Sequence, residues 1–303
     1  MKRLHVLLPQ RDRASMDAEA LGRLARADRL ASSDPGHLQL LGDLFDWPGT
    51  SLPAGALMRE HVAHDAGQEV WLCADPAWVE ADINGARMMA CGNLELDQNE
   101  AEQFAATLRP VLGDMGLMLE LTTATRWHVR LPVGAALPPF AAPDQVLGDD
   151  LLRHLDGAGE MRRWRALFTT LQTELHQHPA SVLRRERGQQ PLNALWFWGG
   201  GSLPAWVRTG VESVFSDDPL VQAMASRAGA AMAPLARFDE ASQTLAGEVL
   251  LDLGQHALGS EAWRQLFGML DQRRVGELHL MFASGERYRL KRSHRWRFWR
   301  RRP

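Results

Sequence analysis

Residues 176–201, HQHPASVLRRERGQQPLNALWFWGGG, gather two histidines, three arginines, an asparagine and a closing glycine triplet. These residue types suit an anionic substrate. Arg184, Arg185 and Arg187 carry planar forks that hold a phosphate or carboxylate through paired hydrogen bonds; equally, they suit a solvated helix end, where cations complement the dipole. Gly199, Gly200 and Gly201 end an apolar run. Glycines at the carboxyl end of a strand let backbone N–H groups approach an anion, and they also make a tight strand-to-helix turn. Asn193, just before that run, orients a ligand or caps a turn. His178 is a ligand-facing ring or the continuation of a buried stripe through Leu171 and Leu175. His176 and His178 lie two apart, so on a continuous helix they point to different sides and cannot chelate one ion. Arg126 and Arg130, flanking Trp127 and His128, add cations from elsewhere in the chain.

Positioning these residues requires ordered elements, and the periodicity supplies them. Residues 3–8 read as a short buried strand, and 16–31 and 53–65 as helices. Strands follow near 69–73, 77–82 and 86–91, the last two joined by Asn84-Gly85, a pair suited to a tight hairpin. Asp97 precedes Glu100 by three positions, a capping signal for a helix to about residue 113. LMLELTT and RWHVRLP alternate and form a second hairpin. Residues 132–159, rich in Pro, Gly, Ala and Asp, read as a long loop. Trp164, Phe168, Leu171 and Leu175 mark the buried side of the next helix. ALWFWGGG is a strand. Helices near 205–215 and 218–230 follow, then a strand at 247–253, a helix at 260–273 and a strand pair around Ser284-Gly285. Mixed strands and helices of this kind predict an α/β or α+β chain.

Composition narrows the function classes. The 303 residues are 45% hydrophobic and 23% charged, enough apolar material for a substantial core. Net charge is −3; residues 291–303, KRSHRWRFWRRRP, contribute +7, which leaves −10 on the rest. An acidic body argues against a broad nucleic-acid-binding face. The tail mixes Trp296, Phe298 and Trp299 with arginines, which suits an anionic membrane surface, nucleic acid, or docking back onto the acidic body. Cys73 and Cys91 are too few for a disulfide framework or a structural zinc site and are expected as free, buried thiols in the cytoplasm.

The run His178-Pro179, Arg184, Gly188, Pro191, Asn193 and then an apolar strand ending in glycines resembles a motif of the archaeal-type cofactor-independent phosphoglycerate mutases. Over most of its length, through ADP, RWHVRLP and LWFWGGG, the chain also resembles the proteobacterial RpfE-type regulatory proteins, described as phosphoglycerate mutase-like. The first resemblance implies an α/β core of the alkaline-phosphatase-like superfamily, two metal ions held by Asp and His at the carboxyl ends of strands, and a Ser or Thr nucleophile. It implies an Asp-Gly after the first strand, where this chain has Pro9-Gln10. It implies adjacent His and Asp ligands after a late strand, where His256 stands between Gln255 and Ala257. Ser181 replaces an Asn of the motif.

The expected architecture is therefore a degenerate alkaline-phosphatase-like α/β core, residues 1–68 and 191–290, with a smaller, more antiparallel α+β subdomain at 69–190 and a basic aromatic tail at 291–303. No catalytic residue, metal or cofactor is assigned. Arg126, His178, Arg184, Asn193, Gly199, Gly200 and Gly201 are the candidate ligand-binding residues, with Arg126, Arg184 and the glycines facing one cavity. The ligand would be a small phosphorylated or carboxylate molecule, or a partner protein, in a regulatory role. Two other readings stand beside it: an active metal-dependent mutase or phosphatase, and a peripheral adaptor whose tail contacts anionic membrane or nucleic acid.

Overall fold

The computed structural model of the chain describes residues 1–82, 85–297 and 299. The fold is α/β, and its contacts fall into two compact units, 1–48 with 206–303, and 49–205. The first segment carries β1 (Arg3–Leu8), α1 (Ala18–Arg26), β2 (Asp28–Arg29), α2 (His37–Leu41) and β3 (Phe45–Asp46). The second unit carries α3 (Ala54–Ala63), β4 (Val70–Asp82), β5 (Gly85–Cys91), α4 (Gln98–Gly113), β6 (Met118–Leu121), β7 (Trp127–Leu131), α5 (Pro143–Val146), α6 (Leu151–His154), α7 (Glu160–Gln177), α8 (Pro179–Glu186) and β8 (Ala194–Gly201). The chain then returns to the first unit with β9 (Arg208–Thr209), β10 (Ser213–Phe215), α9 (Pro219–Ala228), β11 (Ala231–Ala233), α10 (Phe238–Ala241), β12 (Glu248–Asp252), α11 (Ser260–Asp271), β13 (Glu277–Phe282) and β14 (Arg287–Lys291).

The first unit is built on a seven-stranded sheet of order β11-β10-β12-β1-β13-β14-β2. Its first five strands run parallel, and β14 runs antiparallel to both of its neighbours, β13 and β2. Side chains alternate across the pleat. Leu4, Val6, Leu8, Val249, Leu251, Leu278, Leu280 and Phe282 share one face, closed by Leu24 of α1 and by Trp263, Leu266, Phe267 and Leu270 of α11. The opposite face carries charge near the strand starts. Arg3 meets Glu248 at 2.8 Å and Glu277 at 3.6 Å, and Lys291 meets Glu277 at 2.6 Å. Beside them the rings of His5 and His279 meet edge-on at 5.1 Å.

The strands of the second unit pair antiparallel. β4 pairs β7 over Val70–Cys73 and β5 over Ala77–Asp82, while β8 runs along Trp71–Ala77. β8 overlaps both neighbours, so β5 and β7 share the other side of β4 and leave a gap at residues 74–76. Val70, Leu72, Ala74, Trp127, Val129 and Phe197 pack against Phe104, Leu108 and Leu112 of α4 and Trp164, Leu167, Leu171 and Leu175 of α7.

Four expectations change. Residues 49–68 and 191–205 belong with the antiparallel unit rather than the α/β core, because β8 pairs β4 and α3 packs on both strands. The break expected at Asp75-Pro76 is absent, and β4 runs on through it. Pro76 sits in the gap between β7 and β5, and its carbonyl accepts the Gly92 N–H at 2.9 Å. The N–H that proline lacks would have pointed into that same gap, so no ladder bond is lost. Residues 205–215 are extended rather than helical: β9 pairs β3, and β10 lies between β11 and β12. There the β-branched and aromatic Val211, Val214 and Phe215 follow sheet pairing rather than helical spacing. The 132–159 segment holds the short helices α5 and α6. Asn84 of the expected hairpin turn lies outside the described residues.

The described part of the tail folds back on its own unit. Arg297 Nη1 donates to Asp28 Oδ1 at 2.6 Å and to the Arg26 carbonyl at 3.3 Å, and His294 is buried with Nε2 3.6 Å from Asp28 Oδ2. Arg289 reaches the same carboxylate at 3.0 Å. The Arg297 hydrogen bond and its cationic neighbours hold Asp28 down at about 2. Trp296 and Trp299 are exposed. No helix among the described residues is long and apolar enough to cross a membrane.

Candidate functional site

The motif at 176–201 is a clasp that joins α7, α8 and β8. His178 ends α7 and caps α8. Its Nδ1 accepts the Ala180 N–H at 3.2 Å, its ring lies 4.5 Å from that of Phe104, and Pro179 takes the first helical position. Burial pushes the His178 pKa down. One turn on, the Ser181 hydroxyl donates to the Leu192 carbonyl at 3.0 Å. Arg184 is 1% exposed. Its Nε donates to the Gln190 carbonyl at 2.7 Å, and its Nη1 to the Glu95 carbonyl at 2.9 Å and to Glu100 Oε2 at 2.7 Å. The Asn193 amide closes the series, accepting from Val79 N at 2.8 Å and donating to Val79 O at 2.7 Å. A shallow groove of about 320 Å³ beside Asn193 is lined by Thr169, Gln172, Thr173, His176 and Gln177, with no arginine.

The glycine triplet is a packing surface. Gly199 has φ +63°, and a Cβ there would lie 2.6 Å from the Ala54 Cβ. At Gly201 it would lie 2.8 Å from the Pro53 Cβ, and at Gly200 it would overlap Leu137. The first turn of α3 rests directly on this backbone at Gly199 and Gly201, filling the side on which a Cβ would stand. The shared cavity expected for Arg126, Arg184 and the triplet is therefore not formed. Arg184 is enclosed by Glu95, Glu100 and Gln190, the glycines by α3, and β8 separates Asn193 from Gly201 by eight residues, roughly 26 Å of strand. Gly199→Ala is expected to destabilise the second unit by about 2–3 kcal/mol, combining left-handed strain with overpacking against Ala54. Denaturant titration measures this, and a loss below about 0.5 kcal/mol would contradict the packing role.

Arg126 stands apart from the clasp, at the gap along β4. Its Nη1 donates a short hydrogen bond to Asp75 Oδ2, which also accepts Trp198 Nε1 at 2.8 Å. Asp75 is fully buried, and its Oδ1 makes no hydrogen bond. Burial pushes the Asp75 pKa up, and the Arg126 charge opposes the rise. The Arg126 side chain keeps 19% of its exposure, so the cation is the accessible half of the pair. Gly92, at φ +70°, borders both: a Cβ there would lie 2.6 Å from Arg126 Nη1 and 3.2 Å from Asp75 Oδ2. Cys73 and Cys91 lie within the electrostatic reach of both members, and His128 within that of Arg126. Burial raises both thiols well above their ordinary range, so neither is a nucleophile near neutrality. Sequence reasoning missed Asp75. The signal was an acid followed by proline inside an apolar strand, WLCADPAWV.

In the first unit, polar side chains gather at the carboxyl ends of β10 and β12, where open α/β sheets hold their ligands. The Ser216 hydroxyl donates to Asp252 Oδ2 at 2.6 Å, and the Gly254 N–H donates to Asp252 Oδ1 at 3.0 Å. Asp218 Oδ1 caps α9 through Leu220 N at 2.8 Å and Val221 N at 3.2 Å, and Asp218 Oδ2 accepts Gln255 Nε2 at 2.7 Å. Burial raises the Asp252 pKa, and His37 nearby opposes it. His256 is exposed, and Pro9 and Gln10 bring no anionic oxygen to the end of β1. Among the described residues, no three His, Cys, Asp or Glu side chains form a metal-binding group. A two-metal phosphoryl-transfer centre needs several hard anionic donors aimed at common points. These residues do not fit one, because their carboxylates are turned onto serine, amide and glutamine N–H or O–H donors.

No protein-family model matches the chain. A stretch of 62 residues, 20% of the chain, is 34% identical to a probable 2,3-bisphosphoglycerate-independent phosphoglycerate mutase of Geobacter sulfurreducens and spans 16% of that protein. Among solved structures, the PH0037 protein of Pyrococcus horikoshii aligns over 95% of this chain and 86% of its own, with a TM-score of 0.50 and 14% identity. The cofactor-independent phosphoglycerate mutase of Thermoplasma acidophilum aligns over 96% and 89%, with a TM-score of 0.38 and 13% identity. The chain is thus similar over a fifth of its length to a probable phosphoglycerate mutase, of which it spans a small part, and it shares its fold with the PH0037 protein.

Proposed function

We propose that the chain is a non-catalytic, regulatory relative of the cofactor-independent phosphoglycerate mutases that binds a small phosphorylated or carboxylate ligand. The observation that carries this reading is the closed network at the carboxyl ends of β10 and β12. Ser216, Asp218, Asp252 and Gln255 spend their hydrogen bonds on one another and on nearby backbone amides. Phosphoryl transfer needs cations to neutralise developing charge and a nucleophile to carry the group. Here the buried serine donates its hydrogen bond to a carboxylate. An arginine, by contrast, can hold an oxyanion without metal or nucleophile, and Arg126 is the cation of the candidate set that keeps solvent access with a buried counter-ion behind it. The purified chain, supplied with 3-phosphoglycerate and manganese or zinc, is expected to form 2-phosphoglycerate no faster than a protein-free control. Turnover well above that background and abolished by chelator would establish the active-enzyme reading in its place.

A further inference from the structure

Two tryptophans of the first unit are open to solvent. Of the eleven in the sequence, Trp296 is 58% exposed and Trp299 73%, Trp206 follows at 37%, and the rest are buried or half-buried. The segment that carries them is fastened down. Arg297 and His294 tie it to Asp28, and Arg26 Nη1 at the end of α1 donates to the Arg295 carbonyl at 3.4 Å. Docking back onto its own unit therefore engages Arg297 and His294 and leaves both indoles outside. The Arg295 guanidinium lies over the Trp296 ring, 4.8 Å from its centroid. Arg23 donates to Asp271 at 3.0 Å, and Arg292 and Arg295 lie within the electrostatic reach of the same carboxylate. With Arg26, Arg289 and Arg297, this end of the first unit holds more guanidinium groups than the carboxylates Glu19, Asp28 and Asp271 that answer them.

We propose that Trp296, Trp299, Arg292 and Arg295, with Arg26 at the end of α1, form a peripheral docking site for an anionic lipid bilayer. The indoles enter the headgroup layer and the guanidinium groups meet lipid phosphates. An indole has an apolar body and one N–H, which suits the boundary between acyl chains and water. Arginine supplies the long-range attraction to a negative surface that such rings lack. The charge is complementary in place as well as in sign: residues 291–303 carry +7 while the rest of the chain carries −10. A bilayer surface can meet the basic patch alone, whereas a long nucleic acid must also pass the acidic remainder. This site is separate from the small-ligand reading above, and its failure leaves that reading standing.

Co-sedimentation of the full chain with vesicles tests it. At about 0.05 M salt the chain is expected to pellet with vesicles of phosphatidylcholine containing about 30% phosphatidylglycerol, to stay in solution with phosphatidylcholine alone, and to be released at about 0.5 M salt. Trp296→Ala with Trp299→Ala should weaken binding to the anionic vesicles by at least about tenfold, since both indoles lose their place in the headgroup layer. Arg295→Gln should weaken it by about fivefold and reduce the salt dependence. If the double variant does not fold, Trp299→Ala alone, at the more exposed ring, takes its place with a loss of about threefold or more. No pelleting with the anionic vesicles, equal pelleting with neutral ones, or binding unchanged in the tryptophan variants overturns the proposal. A single-stranded oligonucleotide that strips the chain from the vesicles at equal phosphate concentration overturns it too, and assigns the patch to nucleic acid.

Discussion

Arg184→Ala is expected to lower the unfolding free energy by about 3–5 kcal/mol, as removal of one partner from a buried ion pair does. The guanidinium lies inside the second unit and serves three acceptors on two separate segments, the Gln190 carbonyl on one side and the Glu95 carbonyl and Glu100 carboxylate on the other. Alanine leaves all three without their donor and opens a void the length of an arginine. The effect should fall on stability before it falls on any ligand. Arg184→Lys should recover only part of the loss, because an ammonium cannot reproduce the three-way fork. Denaturant unfolding measures both. A cost below about 1 kcal/mol for alanine, or a specific loss of anion binding in a variant of unchanged stability, would return Arg184 to the ligand-binding set.

Acid should unfold the chain well before its carboxylates are neutralised, and His128 should account for much of the effect. Its ring is fully buried, with Nδ1 2.7 Å from Thr122 Oγ1 and Nε2 making no hydrogen bond. Burial, with Arg59 and Arg126 adding to it, lowers its pKa to about 3. The neutral ring is accommodated and the charged ring is not, so the unfolded chain binds the extra proton first. Its contribution is fully present above the ordinary histidine range near pH 6.5 and is lost as pH falls toward 3. Linkage puts the loss between pH 7 and 4 on the order of 3 kcal/mol. His279, lowered to about 4 by burial and then by His5, acts in the same direction over the same window. Asp75 and Asp252, both raised by burial, act in the opposite direction. Comparing the unmodified chain with His128→Gln by urea unfolding from pH 7 to pH 4 isolates the term. Parallel stability curves for the two would rule it out.

Much of the fold was legible because its signals are local. The apolar runs of β1 and β12, the Asp97 cap of α4 and the Trp164-to-Leu175 stripe of α7 all follow from neighbours a few residues away. The pairing at 205–215 was not legible, since β10 owes its conformation to strands that the chain forms later. The site divided in the same way. The histidine, arginine, asparagine and glycines of the motif stand at fixed spacing, yet spacing alone cannot say what each one meets. Arg184 meets Glu95 and Glu100, 89 and 84 residues away. Asp75 and Arg126 are 51 apart, and Ser216 and Asp252 are 36 apart. A motif whose members serve their own backbone and one whose members serve a ligand look alike until those distant partners are in place.

The seven-stranded sheet ends in a way that bears on how the molecule behaves in company. An unpaired strand edge is a template on which another chain can crystallise its own backbone, the route to fibres and precipitates. On one rim β14 is occupied. Beyond the two residues of β2, the Leu30 N–H bonds the Arg287 carbonyl at 3.0 Å, and the Ser33 N–H bonds the Gly285 carbonyl at 3.1 Å. Asp28 anchors that border through Arg289, His294 and Arg297, so the segment from Arg289 to Arg297 works as a hem on the sheet. On the other rim β11 is three residues long and is followed by Pro234, which has no N–H to extend a ladder. Among the described residues, neither border of this sheet presents a long free ladder to a neighbour.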